Sequence, residues 1–196
     1  EQILAAATLV AVEDLYRPYR PKRKTRASVA KEKGLEGLAA LIMAQETERS
    51  MAEEAAAYVS EEKGVNNVKE ALEGAGDIIA EAISDEAEHR TYIREATMEE
   101  GVISSSMKNE EKEKIFEMYY DYSEPVSKVA SHRVLALNRG ESKDILKVRI
   151  DAPKERILQY LRKKTVLKEN PNTTPVLEAA YTDAYERLIA PAIERE

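Results

Sequence analysis

The sequence predicts a mainly α, multi-helix fold with a helix-turn-helix-like arrangement near its start and one short two-stranded β ribbon, about residues 101–107 with 144–150. Apolar residues recur at spacings of three and four through most of the chain, the period of one buried helical face. Two stretches leave that period. GVISSSM (Gly101 to Met107) is β-branched and Ser-rich, and DILKVRID (Asp144 to Asp151) alternates Leu146, Val148 and Ile150 with Lys147, Arg149 and Asp151, as a half-buried strand does. A lone two-stranded ribbon is marginal in water, so it is expected to pack on helices.

The elements follow in order. Leu9, Val12 and Tyr16 form an apolar helical stripe that must end by Arg17, ahead of Pro18 and Pro21. The segment YRPYRPKRK is extended. Helices are expected from about Ser28 to Lys33 and from Leu35 to Gln45, with Gly34 supplying the left-handed cap between them. Helix, glycine, helix is compatible with a helix-turn-helix. From Asn67 to Ala82 the positions Val68, Leu72, Ala75, Ile79 and Ala82 define a buried face, and Gly74 and Gly76 permit close packing there. Another helix covers about Asp85 to Glu99, and Glu110 to Tyr120 returns to helix. After Pro125 the chain restarts with Ser131 as N-cap and stops near Gly140. Asp151 caps a helix with Pro153 in its first turn, running to about Lys164. Thr174 and Pro175 open the last helix, which Pro191 ends or kinks.

Composition excludes several classes. The 196 residues contain no Cys, which removes disulfides, thiolate metal sites and cysteine nucleophiles and fits a reducing, cytoplasmic setting. No run approaches the roughly 18 apolar residues of a membrane span, so no membrane partner is expected. The absence of Met at position 1 reads as an excised fragment.

Net charge is -7, yet it is unevenly spread. Residues 16–33 carry eight Lys and Arg against Glu32 alone, residues 45–114 carry 19 Asp and Glu against 8 Lys and Arg, and residues 147–168 carry eight Lys and Arg against Asp151 and Glu155. Such segregation suits phosphate contact at particular faces, or pairing along solvated helical faces.

Catalytic patterns are missing. There is no GxxxxGK[ST] or GxGxxG, and His89 and His132 stand in no metal-ligand spacing, so no metal, cofactor or small-molecule substrate is expected. Ser131 and His132 are adjacent, hence about 100° apart on a helix, and cannot act as nucleophile and base. The pair reads better as a cap followed by a packed histidine. Carboxylate runs such as Glu53-Glu54 and Glu99-Glu100 read as solvated faces. Tyr16 and Tyr19 interleave with arginines, an arrangement able to stack on unpaired bases. Tyr119, Tyr120 and Tyr122 read as core, since tyrosine must supply most of the aromatic packing in a chain with one Phe and no Trp.

Two strings carry a specific resemblance, VEDLYRPYRPKRKTRASVAKEKGLEGLA and YYDYSEPVSKVASHRVLALNRGE, supported by EKGVNNVKEALEGAGDIIAE and AYERLIAPAIERE. Together they resemble the bacterial Tex family of transcription accessory proteins, related to eukaryotic Spt-type elongation factors, across essentially the whole chain. Ala130 departs from the family's usual Pro before the Ser131, His132, Arg133 triplet. The resemblance implies a non-enzymatic part of a longer protein. Residues 1–115 would be its helix-turn-helix-like part with the basic arm 16–33, and residues 116–196 would lead into a YqgF-like domain absent from this chain. RNA or DNA would be bound mainly by domains, such as S1, that are missing here, with the transcription machinery as a further partner. Two readings of the arm stay open. Arg17, Arg20, Lys22, Arg23, Lys24 and Arg26 contact phosphate, or they pair with the acidic 45–114 region while Tyr16 and Tyr19 anchor the arm.

Overall fold

The computed structural model describes residues 2–21, 23–108 and 114–196. Along the chain run α1 (Gln2–Ala5), α2 (Leu9–Tyr16), a 3-10 turn (Arg17–Tyr19), α3 (Arg26–Glu32), α4 (Glu36–Ala44), α5 (Met51–Ala56), α6 (Val68–Asp85) and α7 (Ala87–Glu100). Strand β1 (Val102–Met107), a 3-10 segment (Lys114–Tyr119), β2 (Asp121–Pro125), α8 (Ser131–Ser142) and β3 (Leu146–Asp151) follow. The chain closes with α9 (Lys154–Thr165), α10 (Thr174–Asp183), a π-helical stretch (Ala184–Ile189) and α11 (Ala190–Ile193). The fold is mainly α with a small three-stranded antiparallel sheet.

Contacts divide the chain into two units, Glu1–Thr91 with Leu158–Glu196, and Tyr92–Ile157. The first is built around α6, on which α3, α4, α5 and α10 pack. Asn67 starts α6 by accepting a hydrogen bond from the Glu70 amide at 2.9 Å. Its buried stripe is Ala71, Ala75, Ile79 and Ile83. Of the expected face, Ala75 and Ile79 are buried, Val68 and Leu72 are half-buried, and Ala82 is exposed with Ile83 inside instead. A helix covered from more than one side buries a wider arc than one stripe. Gly34, with φ +82°, makes the left-handed turn between α3 and α4. Gly74 meets α4's leading Leu35 closely, whereas Gly76 faces open space, so only the first permits close packing.

The second unit is the sheet and its cover. Strand order is β2-β1-β3, with Ser104 opposite Ser123 on one side and Arg149 on the other. The expected ribbon is present, Ile103 opposing Ile150. The third strand was not expected, because the inward positions of Asp121–Pro125 are Tyr122 and Glu124, which hide the alternation. Arg133 on α8 satisfies Glu124 at 2.9 Å. Ile103, Phe116, Tyr119, Leu137, Ile145 and Leu146 form the core, with Tyr120 and Tyr122 against it, so the tyrosine cluster packs as expected. Tyr119 and Tyr122 meet edge to face, centroids 5.4 Å apart.

Several local expectations are corrected. Of the helix expected at 110–120, residues 110–113 lie outside the described residues, and Lys114–Tyr119 is 3-10. Ser131 is the first residue of α8 and Ala130 the N-cap, without a side-chain bond. The neighbouring His132 is exposed, not packed. Asp151 ends β3 and α9 begins at Lys154, since the strand continues one residue further than a cap there would allow. Of the two outcomes expected of Pro191, an end or a kink, the end is not seen, since α11 runs through it. The π-helical stretch before it absorbs the missing N–H, the Ala190 amide donating to Tyr185 O. On α2 the apolar stripe is not buried: Val12 is half-buried, and Leu9 and Tyr16 are exposed. Leu9 is 74% exposed and the one buried residue is Asp14. Glu53 belongs to the Ser50 capping box of α5, so it has a structural role beyond solvation.

Candidate nucleic-acid interface

The basic arm, residues 16–33, belongs wholly to the first unit and runs from the last residue of α2 through α3. Thr8 caps α2 by accepting from the Ala11 amide. Pro18 fixes the 3-10 turn, closed by the Arg20 amide donating to Arg17 O, and Pro21 keeps the chain extended beyond it. Thr25 and Ser28 then form a reciprocal capping box that starts α3. Local chemistry thus fixes the turn and the start of α3, and of the described residues between them, 20, 21 and 23–25, none belongs to a helix or strand.

Its root is fixed by charge. Arg90 on α7 is 2% exposed, and its Nε donates to Asp14 at 2.5 Å while Nη2 donates to Glu196 at 3.1 Å. Breaking such a buried pair leaves an uncompensated charge, at a cost of about 3–5 kcal/mol. Arg17 donates from Nε to Asp85 at 3.2 Å. These groups line a cleft of about 820 Å³ with Tyr16, Arg20, Arg23 and Glu81. Neither Asp14 nor Arg90 was singled out in the sequence. They lie 76 positions apart, and no local pattern marks a long-range pair.

The six candidate cations separate into different situations. Arg17 is paired with Asp85. Arg26, exposed at the start of α3, acts on Asp77, whose carboxyl burial pushes up against the opposing pull of Arg187 and Arg26. Lys22 lies outside the described residues. Arg20, Arg23 and Lys24 are exposed, and among the described residues they form no ion pair. Tyr16 is 49% and Tyr19 77% exposed, with no ring partner among the described residues. Further along, Lys33 donates from Nζ to Gly64 O at 2.8 Å.

Ser131, His132 and Arg133 lie in the other unit at the start of α8. Ser131 and His132 are both exposed. Arg133 bonds to Glu124 and stacks over the Tyr122 ring at 5.8 Å, a role in holding α8 to β2. Among the described residues no group of three or more His, Cys, Asp or Glu could hold a metal, and no helix is long and apolar enough to cross a membrane.

Fold and site together define a mainly helical module bearing a short antiparallel sheet and an arm of exposed cations, Arg20, Arg23 and Lys24. The Tex central region-like family matches residues 46–186, and the chain belongs to that family. It is 48% identical over 198 residues to the uncharacterized protein YdcI of Bacillus subtilis (strain 168), covering 100% of this chain and 28% of that protein. It is 40% identical over 152 residues to protein tex of Bordetella pertussis, covering 76% of this chain and 19% of that protein. To the transcriptional accessory protein Tex of Neisseria gonorrhoeae it is 34% identical over 192 residues, 96% of this chain and 22% of that one. The chain therefore spans under a third of the length of these relatives. The match at 46–186 excludes the arm, which the Bacillus alignment includes.

Proposed function

We propose that the chain is a non-enzymatic helical module of a Tex-type transcription accessory protein, working in the cytoplasm as a scaffold that contacts RNA or DNA through its basic arm during transcription regulation. The observation that carries this reading is the exposure of Arg20, Arg23 and Lys24, which form no ion pair among the described residues of a chain rich in acid. In a protein of net charge -7, cations that merely balanced the surface would be expected to end on carboxylates, as Arg17 does. Exposed Tyr16 and Tyr19 beside them add faces for base stacking, worth about 1–3 kcal/mol per base. The helix-turn-helix reading of α3 and α4 belongs to the same proposal, with Arg26 at the start of α3 as a phosphate contact.

A titration of fluorescent RNA and DNA oligonucleotides over a salt series tests it. Each phosphate contact contributes about 0.7 to 0.9 to the slope of log K against log salt. Replacing Arg20, Arg23 and Lys24 by Ala is expected to lower that slope by about 2 to 3 and weaken binding across sequences. Binding that the triple variant leaves intact would remove the arm from the interface.

A second reading makes the module a protein-interaction platform for the transcription machinery. It is favoured by the apolar groove of about 740 Å³ beside α6 and α10, floored by Leu72, Gly76, Val176 and Ala179. This reading expects capture of a partner that survives nuclease treatment and is lost when Gly76 is replaced by a bulky residue.

A further inference from the structure

The second unit's sheet has two unlike faces. Ile103, Ser105, Tyr122, Glu124, Val148 and Ile150 point one way, toward the core. Ser105 on that side donates to Tyr119 O at 2.7 Å, so its hydroxyl is consumed within the fold. The opposite face is set by the same register. Across β3, β1 and β2 it reads Lys147, Ser106, Asp121 in one row and Arg149, Ser104, Ser123 in the next. The last row is Asp151, Val102, Pro125.

Small hydroxyls thus floor the central strand, with two long cations along one side. Serine has little intrinsic preference for a central strand, so its repetition on the uncovered face is not explained by strand stability. Most cations of the same basic stretch have partners, although Lys163 is exposed and, among the described residues, forms no ion pair. Arg156 is held by Glu99 and Glu100, Arg162 by Glu169 and Glu178, Lys164 by Glu88, and Lys168 by Glu46. Lys147 and Arg149 are exposed and, among the described residues, form no ion pair. They stand two residues apart on one strand, a rise of about 6.6 Å, close to the separation of consecutive phosphates in an extended polynucleotide. Asp121 and Asp151 occupy opposite corners and leave the row of Arg149, Ser104 and Ser123 free of acid.

We propose that this outer sheet face is a second phosphodiester-binding surface, taking two successive phosphates of an extended single strand. Lys147 and Arg149 neutralise the phosphates, and the hydroxyls of Ser104, Ser106 and Ser123 donate to their oxygens. No aromatic side chain lies on this face, so it reads backbone and not bases. The inference rests on the nucleic-acid reading above and adds a surface independent of the arm.

The test uses the 196-residue chain and labelled single-stranded oligonucleotides of uridine, adenosine or cytidine over a salt series. Replacing Lys147 and Arg149 by Ala is expected to reduce the slope of log K against log salt by about 1.4, two single-strand phosphates. The reduction should be the same for every base. Ser106→Glu, which keeps both cations, should weaken binding as well, and the unfolding midpoint of each variant should stay at the parent's value. Parent-like binding by both sheet variants overturns the proposal while leaving the arm intact as a site. Loss in the sheet variants with none in the arm triple variant supports it and removes the arm. A duplex bound better than a single strand, or a base-dependent loss, overturns it too. No binding by the parent at low salt overturns both readings together.

Discussion

Gly74 and Gly76 lie two residues apart on α6 and face opposite surroundings. A Cβ on Gly74 would come within 2.4 Å of Leu35 Cδ1 and 3.3 Å of Ala30 Cβ, both buried. A Cβ on Gly76 would meet nothing within 4 Å. Overpacking costs about 1–3 kcal/mol, more than the roughly 1 kcal/mol of helix propensity an alanine returns. Gly74→Ala should therefore lower the denaturant midpoint and Gly76→Ala raise it, by up to about 1 kcal/mol for the latter. Equal shifts in one direction would contradict the packing of α3 and α4 on α6. His89 offers a pH-dependent counterpart. It is buried against Tyr160, rings edge to face at 5.6 Å, and burial pushes its pKa down despite Glu86 and Glu88. Since the folded state resists protonation more than the unfolded state, stability is full above the ordinary histidine range near pH 6.5 and falls as pH drops toward the lower folded value. The lowered carboxyls of Glu46, Glu53 and Glu70 act at lower pH, below about 4.5, so the two effects separate. Unfolding measured between pH 7 and 5 should lose part of its slope in His89→Gln; an unchanged slope would place the proton uptake elsewhere.

The approach to α8 shows how a sequence departure can be structurally silent. Ala130 has φ -76° and ψ 143°, and Val129 before it φ -64° and ψ 127°. The first suits the proline ring and the second suits a residue preceding proline. The Ala130 amide makes no backbone bond among the described residues. Ala130→Pro is therefore expected to stabilise by about 0.4–1 kcal/mol through the unfolded chain, read as a raised thermal midpoint, and destabilisation would show that the amide is needed. Elements like this were legible when their signal was local. The α3–α4 break at Gly34, the β1–β3 ribbon and the Thr174-Pro175 start of α10 each follow from turn chemistry or alternation over a few residues. What was not legible depended on distant partners. Strand β2 hides its alternation because its inward Glu124 is satisfied by Arg133, and the burial of Asp14 on α2 rests on Arg90, 76 positions away. The candidate cations could be named from sequence, but which of them end on carboxylates is decided by residues such as Asp85, far along the chain.

At the scale of the whole molecule, each unit owns a core. The first is organised by Leu35, Leu38, Ile42, Ile79 and Leu177, the second by Ile103, Phe116, Tyr119, Leu137, Ile145 and Leu146. Residues with separate cores open as separate cooperative units when one is weakened, and a single unfolding free energy then ceases to describe the chain. Phe116 is buried in the second core, where Gly140 and Leu146 approach it. Phe116→Ala should cost about 3–5 kcal/mol. Native-state hydrogen exchange is expected to place that loss on the amides of β1, β3 and α8, while those of α6 keep the parent's protection. An equal loss in α6 would show that the two cores unfold as one. The distinction bears on both binding surfaces, because the arm belongs to the first unit and the Lys147–Arg149 face to the second. If the cores are independent, Phe116→Ala should abolish binding at the sheet face under mildly destabilising conditions and leave the salt slope contributed by Arg20, Arg23 and Lys24 in place.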